Sequence, residues 1–487
     1  MSGKLQKAKS RFAVFNNVTK GPTKAEYAIG VFFVLCAAFL FCFMKDFRLT
    51  VTQSLDFLDC LFSGKALRFY SEVNELALSG YYGKDWPQSL LAGANYSVIN
   101  YATVGLICLP VYIIDRFFGV TVSFLVYEFV VKLAFALILC WLAKIMYDIC
   151  KTLRPEGKDA GWAALCFMTS PVFLYSSIVI SHLDIFSILF LMLGIRCMVK
   201  EKRMPGLVFF MLAAAYKPFV LLGILPMLFL REKRVLYLLR DFIVVMAGIL
   251  AQSVIYRFDP GYGETQKFMS ETYDFLGRFF GTGFGFTRNC YDSVASYFVI
   301  AFVVICVVAY LVKKTDWQVA FTLAFAVMGA FVMFVKWHPN WMVLIVPYMM
   351  LMLLYTYNIR VMCILEFVFS LFVILVSGFG WWHHYGIRIL NGGVISQLLG
   401  LKADKYHDIY KIIPRMFPQI PNDIYSSILC ATVLGFLVLF ALDWWRKKRG
   451  VAYDKDGRRW ERCAVWFRVL PAAGYMAYAV LVAIRLR

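Results

Sequence analysis

The chain has 487 residues, 61% of them hydrophobic, 18% aromatic and only 16% charged, a composition that excludes a water-soluble globule. Its formal net charge of +20 would suit nucleic acid, but the basic residues cluster at the ends of apolar runs, where they mark one side of a membrane instead. The apolar runs do not alternate, which excludes a membrane β-barrel.

Six basic residues, Lys4, Lys7, Lys9, Arg11, Lys20 and Lys24, precede the first apolar run, Tyr27 to Met44. That run is long and has no clear small-residue cleavage site, so it reads as a retained first span behind a basic cytoplasmic N-terminus, residues 1–26. The outer segment that follows, 45–119, opens with Lys45, Asp46 and Arg48 and then reads SLDFLDC. Asp56 and Asp59 are three apart and share a helix face; they could take a proton from a hydroxyl or bind a cation, or simply form the solvated side of an interface helix. The apolar stretch Tyr96 to Ile114 is expected to be re-entrant or to lie in the interface. If it crossed, the Lys151/Arg154/Lys158 cluster and every later basic loop would invert. In the second span Glu128 and Lys132, four apart, are expected to neutralise each other.

Further along, SPVFLYSSIVISHLD breaks at Pro171 and leaves His182 and Asp184 at the outer junction of spans three and four. An ionisable pair there must face protein or water, although Asp184 could merely start a helix. Lys217-Pro218 interrupts an uncharged stretch bracketed by KEKR and REKR. It should be the outer apex of a hairpin, with Lys217 either binding a lipid phosphate or snorkelling to the interface. The outer turn KWHPNW presents Lys336, Trp337, His338, Asn340 and Trp341; belt duty explains the tryptophans but not His338. The WWHHY at 381–385 reads as belt. The 13 cysteines are scattered without metal-ligand spacing, and no Walker-type or GxGxxG motif occurs.

The expected fold is an all-α, polytopic membrane protein of about 13 transmembrane helices with amphipathic, juxtamembrane helices in the first outer loop. The spans run roughly over 27–44, 120–146, 161–180, 184–199, 206–216, 218–230, 235–256, 293–312, 317–335, 341–356, 360–380, 425–443 and 464–484. Residues 27–356 are expected to form one transmembrane module that includes outer loop 45–119. Residues 357–487 add C-terminal helices and the outer loop 381–423, which carries Arg388 and Arg415. The outer segments are the ones large enough to hold chemistry, because the inner loops are too short for a nucleotide-binding domain.

These residues, in this order, resemble the integral-membrane glycosyltransferases of the GT-C fold that use polyprenyl-phosphate sugars, in particular bacterial proteins similar to GPI mannosyltransferases. The resemblance covers roughly residues 25–360. The pattern of Pro171, His182 and Asp184, the Lys217-Pro218 hairpin, and His338 before Pro347 carries it; the usual Trp-Gly-Gln reads Ile180-Ser181-His182 and the usual Tyr-Pro-Pro reads Asn95-Tyr96-Ser97. It implies an inverting transferase of a hexose such as mannose, in a bacterial plasma membrane with its catalytic module of residues 27–356 opening its site on the extracytoplasmic side. The donor would be a polyprenyl-phosphate sugar and the acceptor a lipid-linked or cell-envelope glycan hydroxyl. Asp56, or Asp59, would be the base; Lys217, Lys336, His338, His182 and Asp184 would hold the lipid phosphate and sugar. No cofactor is required, while two close aspartates leave a divalent metal open. The partners are this donor, a glycan or glycolipid acceptor and membrane lipids, with no nucleic acid. Competing readings are an O-antigen-type polymerase or ligase working through late-loop arginines, and a non-catalytic flippase or transporter, which the absence of an internal repeat disfavours.

Overall fold

A computed structural model of the chain describes residues 17–18, 21–83, 88–155, 159–280, 283–288, 291–313, 316–335, 338–381, 386–421, 423–451 and 460–487. The apolar runs are helical, as they must be where no water can satisfy backbone N–H and C=O groups. In chain order the helices are α1 (Lys24–Leu40), α2 (Met44–Phe62), α3 (Phe69–Ser79), α4 (Val98–Arg116), α5 (Phe124–Leu153), α6 (Asp159–Met168), α7 (Asp184–Val199), α8 (Arg203–Tyr216), α9 (Leu221–Arg231) and α10 (Val235–Ile255). They continue with α11 (Pro260–Tyr273), α12 (Phe275–Phe280), α13 (Tyr297–Leu311), α14 (Trp317–Phe334), α15 (Val346–Met352), α16 (Ile359–Val376), α17 (Val394–Leu398), α18 (Ile409–Met416), α19 (Asp423–Lys448), α20 (Arg462–Phe467) and α21 (Leu470–Arg485). Two small antiparallel ribbons depart from the all-helical expectation, β1 (Asn17–Val18) with β4 (Trp460–Glu461) and the hairpin of β2 (Gly283–Arg288) with β3 (Tyr291–Ser296).

Seven helical stretches among the described residues are long and apolar enough to cross a membrane, and an eighth is obtained if α1 and α2 count together. Several of the thirteen expected spans, α8 and α13 for instance, are shorter than a full crossing requires. The stop of α8 is where the sequence puts it, whereas α13 covers only part of the expected 293–312.

α1 starts on a capping box, with Glu26 N donating to Thr23 Oγ1 and Thr23 N to Glu26 Oε2. It stops at Leu40, and α2 leaves at 82° to it. α2 carries Lys45, Asp46, Arg48, Asp56 and Asp59 in 19 residues, too many charges to cross, so it lies across the end of the bundle as an amphipathic helix. The corner is held by Lys132, fully buried on α5, whose ammonium donates to Phe41 O and Ile178 O, both at 2.7 Å. Glu128 instead accepts from Gln397 at 3.0 Å. Glu128 and Lys132 still feel each other's charge, as the sequence suggests, but the lysine's hydrogen bonds go to carbonyls at two helix breaks and not to Glu128.

By length and composition α4 passes as a spanning helix, yet both its ends are tied to the same end of the bundle. At its start Ser97 Oγ donates to Ala215 O and Asn100 to Tyr216 O. At its finish Tyr112 and Arg116 meet Asp59 of α2, and Asp115 accepts from Tyr127 at the start of α5. It packs alongside α2. The 257–273 segment docks on the same cap: Asp259 accepts from Tyr70 N at 2.9 Å and Ser71 N at 3.3 Å, and Asn74 bonds Thr265.

The opposite end gathers the basic clusters. Arg203 bridges Glu232 and the buried Asp241, Arg231 pairs with Glu201 and stacks on Trp317, Lys447 pairs with Asp316, and Arg360 with Glu461.

Candidate functional site

Four chain segments far apart in sequence meet where α1 breaks. The first contributes Asp46, one turn into α2. The second follows the long apolar stretch Asp159–Val179, whose helix is interrupted at Thr169–Ser170 and resumes from Pro171 with a π-helical turn over Leu174–Val179. It ends at Ser181, a non-glycine residue at φ 68°. That left-handed residue costs energy, and the Cys42 and Ile178 contacts of its hydroxyl hold it there. Its effect is to turn His182 and then Asp184 inward, both nearly buried. The third segment is the α8–α9 apex, where Lys217 is extended and cannot continue the helix because Pro218 follows. The fourth is the turn after α14, with His338, Asn340 and Trp341.

The contacts are specific. Asp184 Oδ1 lies 3.1 Å from Lys217 Nζ, and Asp184 Oδ2 lies 3.2 Å from His182 Nδ1. The other His182 nitrogen meets Tyr96 Oη at 3.3 Å. The His182 and His338 rings stack at 6.3 Å, and the Lys217 ammonium sits over Trp341 at 5.1 Å. Burial of His338 in this cleft, together with His182, Lys217 and Arg278 nearby and against the pull of Asp184, lowers its pKa to about 3, so it is a neutral imidazole at any ordinary pH. Asn340 is completely buried, and neither atom of its amide has a hydrogen-bond partner among the described residues.

Asp46 is near enough to this group to feel the charge of His182. Burial raises its pKa, opposed by the nearby His182 and Lys45. Its carboxylate accepts no hydrogen bond among the described residues, so its lone pairs remain open to a proton donor.

Of the residues singled out in the sequence, the structure brings together Lys217, His182, Asp184 and His338; Lys336 lies outside the described residues. Lys217 is largely buried and ion-paired. Its anionic partner is Asp184, which the chain supplies itself. Asp56 and Asp59 do not join the cluster. They lie ten and thirteen residues along α2 from Asp46, roughly 15–20 Å at helical rise. Asp56 accepts from Tyr82 Oη at 2.9 Å, and Asp59 from Tyr112 and Arg116. Burial pushes Asp56 up to about 7, the Tyr82 bond working against it.

Sequence reasoning passed over Asp46, Tyr96, Arg278 and the amide of Asn340. For Asp46 a signal existed, because it is the first carboxylate after span one. For Tyr96 the signal was its place at the head of the Tyr96 to Ile114 stretch; Arg278 had none beyond its residue type. Among the described residues no three His, Cys, Asp or Glu side chains gather as metal ligands.

No protein-family model matches the chain, and no curated protein matches it.

Proposed function

We propose that the chain is an inverting glycosyltransferase of the GT-C type that moves a sugar, a hexose such as mannose, from a polyprenyl-phosphate donor to a hydroxyl of a lipid-linked or envelope glycan. The single observation that carries this reading is the placement of an unbonded carboxylate, Asp46, against a cation-and-imidazole cluster at one end of an apolar helical bundle. Such a pairing suits a reaction in which a proton is lost on one side of a carbon while negative charge builds on the other.

The acceptor oxygen attacks the anomeric carbon and gives its proton to Asp46. The bond from that carbon to the phosphate oxygen breaks on the opposite face, and the electron pair leaves with the lipid phosphate. Lys217 and Arg278 stabilise the departing charge, and neutral His338 can donate a hydrogen bond to it. Asn340, buried without a partner, is suited to a sugar hydroxyl. Asp184 holds Lys217 and His182 in place. Thirteen crossings, with α2, α4 and the cluster on the extracytoplasmic side and the basic clusters in the cytoplasm, complete the reading.

The test is transfer by purified protein offered several polyprenyl-phosphate sugars. Asp46→Asn should lower turnover by about two to four orders of magnitude with donor binding retained, whereas Asp56→Asn should stay within about tenfold of wild type. The reverse ranking would return the base to Asp56. Absence of transfer by the wild type from every donor would remove the transferase reading.

A further inference from the structure

A groove of about 590 Å³ lies between α9, α10 and α13. It exists because its two walls lean on other helices: α10 packs on α8 and α13 on α14, which leaves a gap floored by α9. Leu228 and Phe229 belong to the floor, Leu239 and Phe242 to one wall, Phe302 and Val307 to the other, and no charged side chain lines it. Along α13 the lining runs from Phe302 to Leu311. That is roughly 15 Å at helical rise, half of a hydrocarbon core of about 30 Å and therefore the depth of one leaflet. The lining comes from the last turns of α9 and α13 and the first turns of α10, so the leaflet is the one at the basic end.

Lys233 closes that end. Its ammonium donates to Phe229 O and Ala309 O, both at 2.7 Å, and its own carbonyl accepts from Tyr310 Oη at 2.8 Å. The lysine thus ties α9 to α13 at the mouth of the groove instead of snorkelling away. Two of its three ammonium protons go to neutral carbonyls, and it forms no ion pair among the described residues. The carboxylates nearby are taken: Glu232 pairs with Arg203 and Arg234, and Asp241 with Arg203 and Arg240. Lys313, four residues past Ala309, is exposed and likewise forms no ion pair among the described residues. An apolar groove one leaflet deep therefore ends at two lysines that have no carboxylate partner of their own.

We infer that the groove holds an acyl chain of an anionic phospholipid, with the headgroup phosphate on Lys233 and Lys313. Bulk lipid tails are as apolar as the groove, so the chain alone brings little preference and the headgroup must supply it. A zwitterionic headgroup carries its own cation to two lysines, whereas an anionic one brings only the charge they lack. The lipid would also brace α10, of which only 11% is buried over its span. None of this rests on the transferase reading: Lys217 and Asp46 line no part of the groove.

The experiment is native mass spectrometry of the purified full chain in detergent, titrated with dioleoyl phosphatidylglycerol or dioleoyl phosphatidylcholine, with melting temperatures measured in parallel. Wild type should retain one phosphatidylglycerol more tightly than phosphatidylcholine by about tenfold or more, and should melt higher with it. Lys233→Gln, which keeps a donor for the two carbonyls, and Lys313→Gln should each lose about fivefold in affinity for phosphatidylglycerol and nothing for phosphatidylcholine. Val307→Trp fills the groove, leaves both charges and should retain neither lipid. Should that variant not fold, the two lysine variants and the lipid comparison decide alone. Equal retention of the two lipids by wild type, an undiminished preference in both lysine variants, or full retention by Val307→Trp would each overturn the proposal. Displacement of phosphatidylglycerol by a polyprenyl phosphate would overturn it in favour of a carrier lipid, and a dimer mass lost in Val307→Trp in favour of a second copy of the chain.

Discussion

At the scale of single residues, Asp56 shows how little spacing alone says about a carboxylate's partners. Its spacing from Asp59 suggested cooperation, yet each has its own partner, Tyr82 for one and Tyr112 with Arg116 for the other. Burial lifts the Asp56 carboxyl to about 7, above its unfolded value, so the folded state favours the protonated form. The associated stability is present below about pH 4 and is lost as pH rises to about 7. Asp56→Asn removes that dependence while keeping an acceptor for Tyr82. Melting in detergent should therefore show variant and wild type alike at pH 4 and the variant more stable at pH 8, by on the order of 3 kcal/mol. A wild type that gains on the variant as pH rises would contradict the buried, protonated carboxyl. Lys217 shows what one-dimensional reading leaves out. Its need for an anion was legible from the apolar stretch around it, but that the anion is Asp184 depends on a strained Ser181 that no local pattern announces.

Among the elements, the helices were largely legible because hydrocarbon leaves them little choice, and the stop of α8 at Lys217-Pro218 followed from proline alone. The corner between α1 and α2 was not. Apolar character continues through Phe41, Cys42 and Phe43, so hydropathy carries span one past the point where the chain turns. What turns it is tertiary: the Lys132 ammonium on Phe41 O, the Ile389 carbonyl on Cys42 N, and the Gly392-Gly393 pair pressed against the end of α1. A Cβ on Gly393 would lie 2.2 Å from the backbone carbonyl group of Leu40, although φ −73° and ψ 144° suit any residue. Gly393→Ala should therefore act by collision alone, costing about 1–3 kcal/mol or more, and should impair any activity that depends on Asp46. At Gly474 of α21, where a Cβ meets nothing within 4 Å, alanine should be neutral or stabilising. Equal melting temperatures for the two variants would mean that the corner yields freely.

For the whole molecule, the decisive question is which helices cross. Composition alone counts α4 as a span and yields an arrangement in which every later loop changes side. The contacts favour the opposite arrangement. Ser97 and Asn100 at one end of α4 reach the carbonyls beside Lys217, while Asp115 and Arg116 at the other end reach Tyr127 and Asp59. α5 begins near that second end and finishes at Asp148 and Arg154, which pair with Arg196 and Asp159 among the basic clusters. Were α4 to cross, Asp115 would have to sit with Arg154, a full helix of 30 residues away from Tyr127's turn. Single cysteines at Phe118, just past α4, and at Glu75 on the α3 cap should therefore be modified by the same impermeant reagent from the same side. A cysteine at Glu201, which pairs with Arg231 at the basic end, should react only from the other side. The background must lack the exposed Cys463, which would otherwise report the basic end in every variant. Reaction of Phe118→Cys together with Glu201→Cys, and apart from Glu75→Cys, would make α4 a true span and divide Asp46 from the rest of its cluster by a membrane.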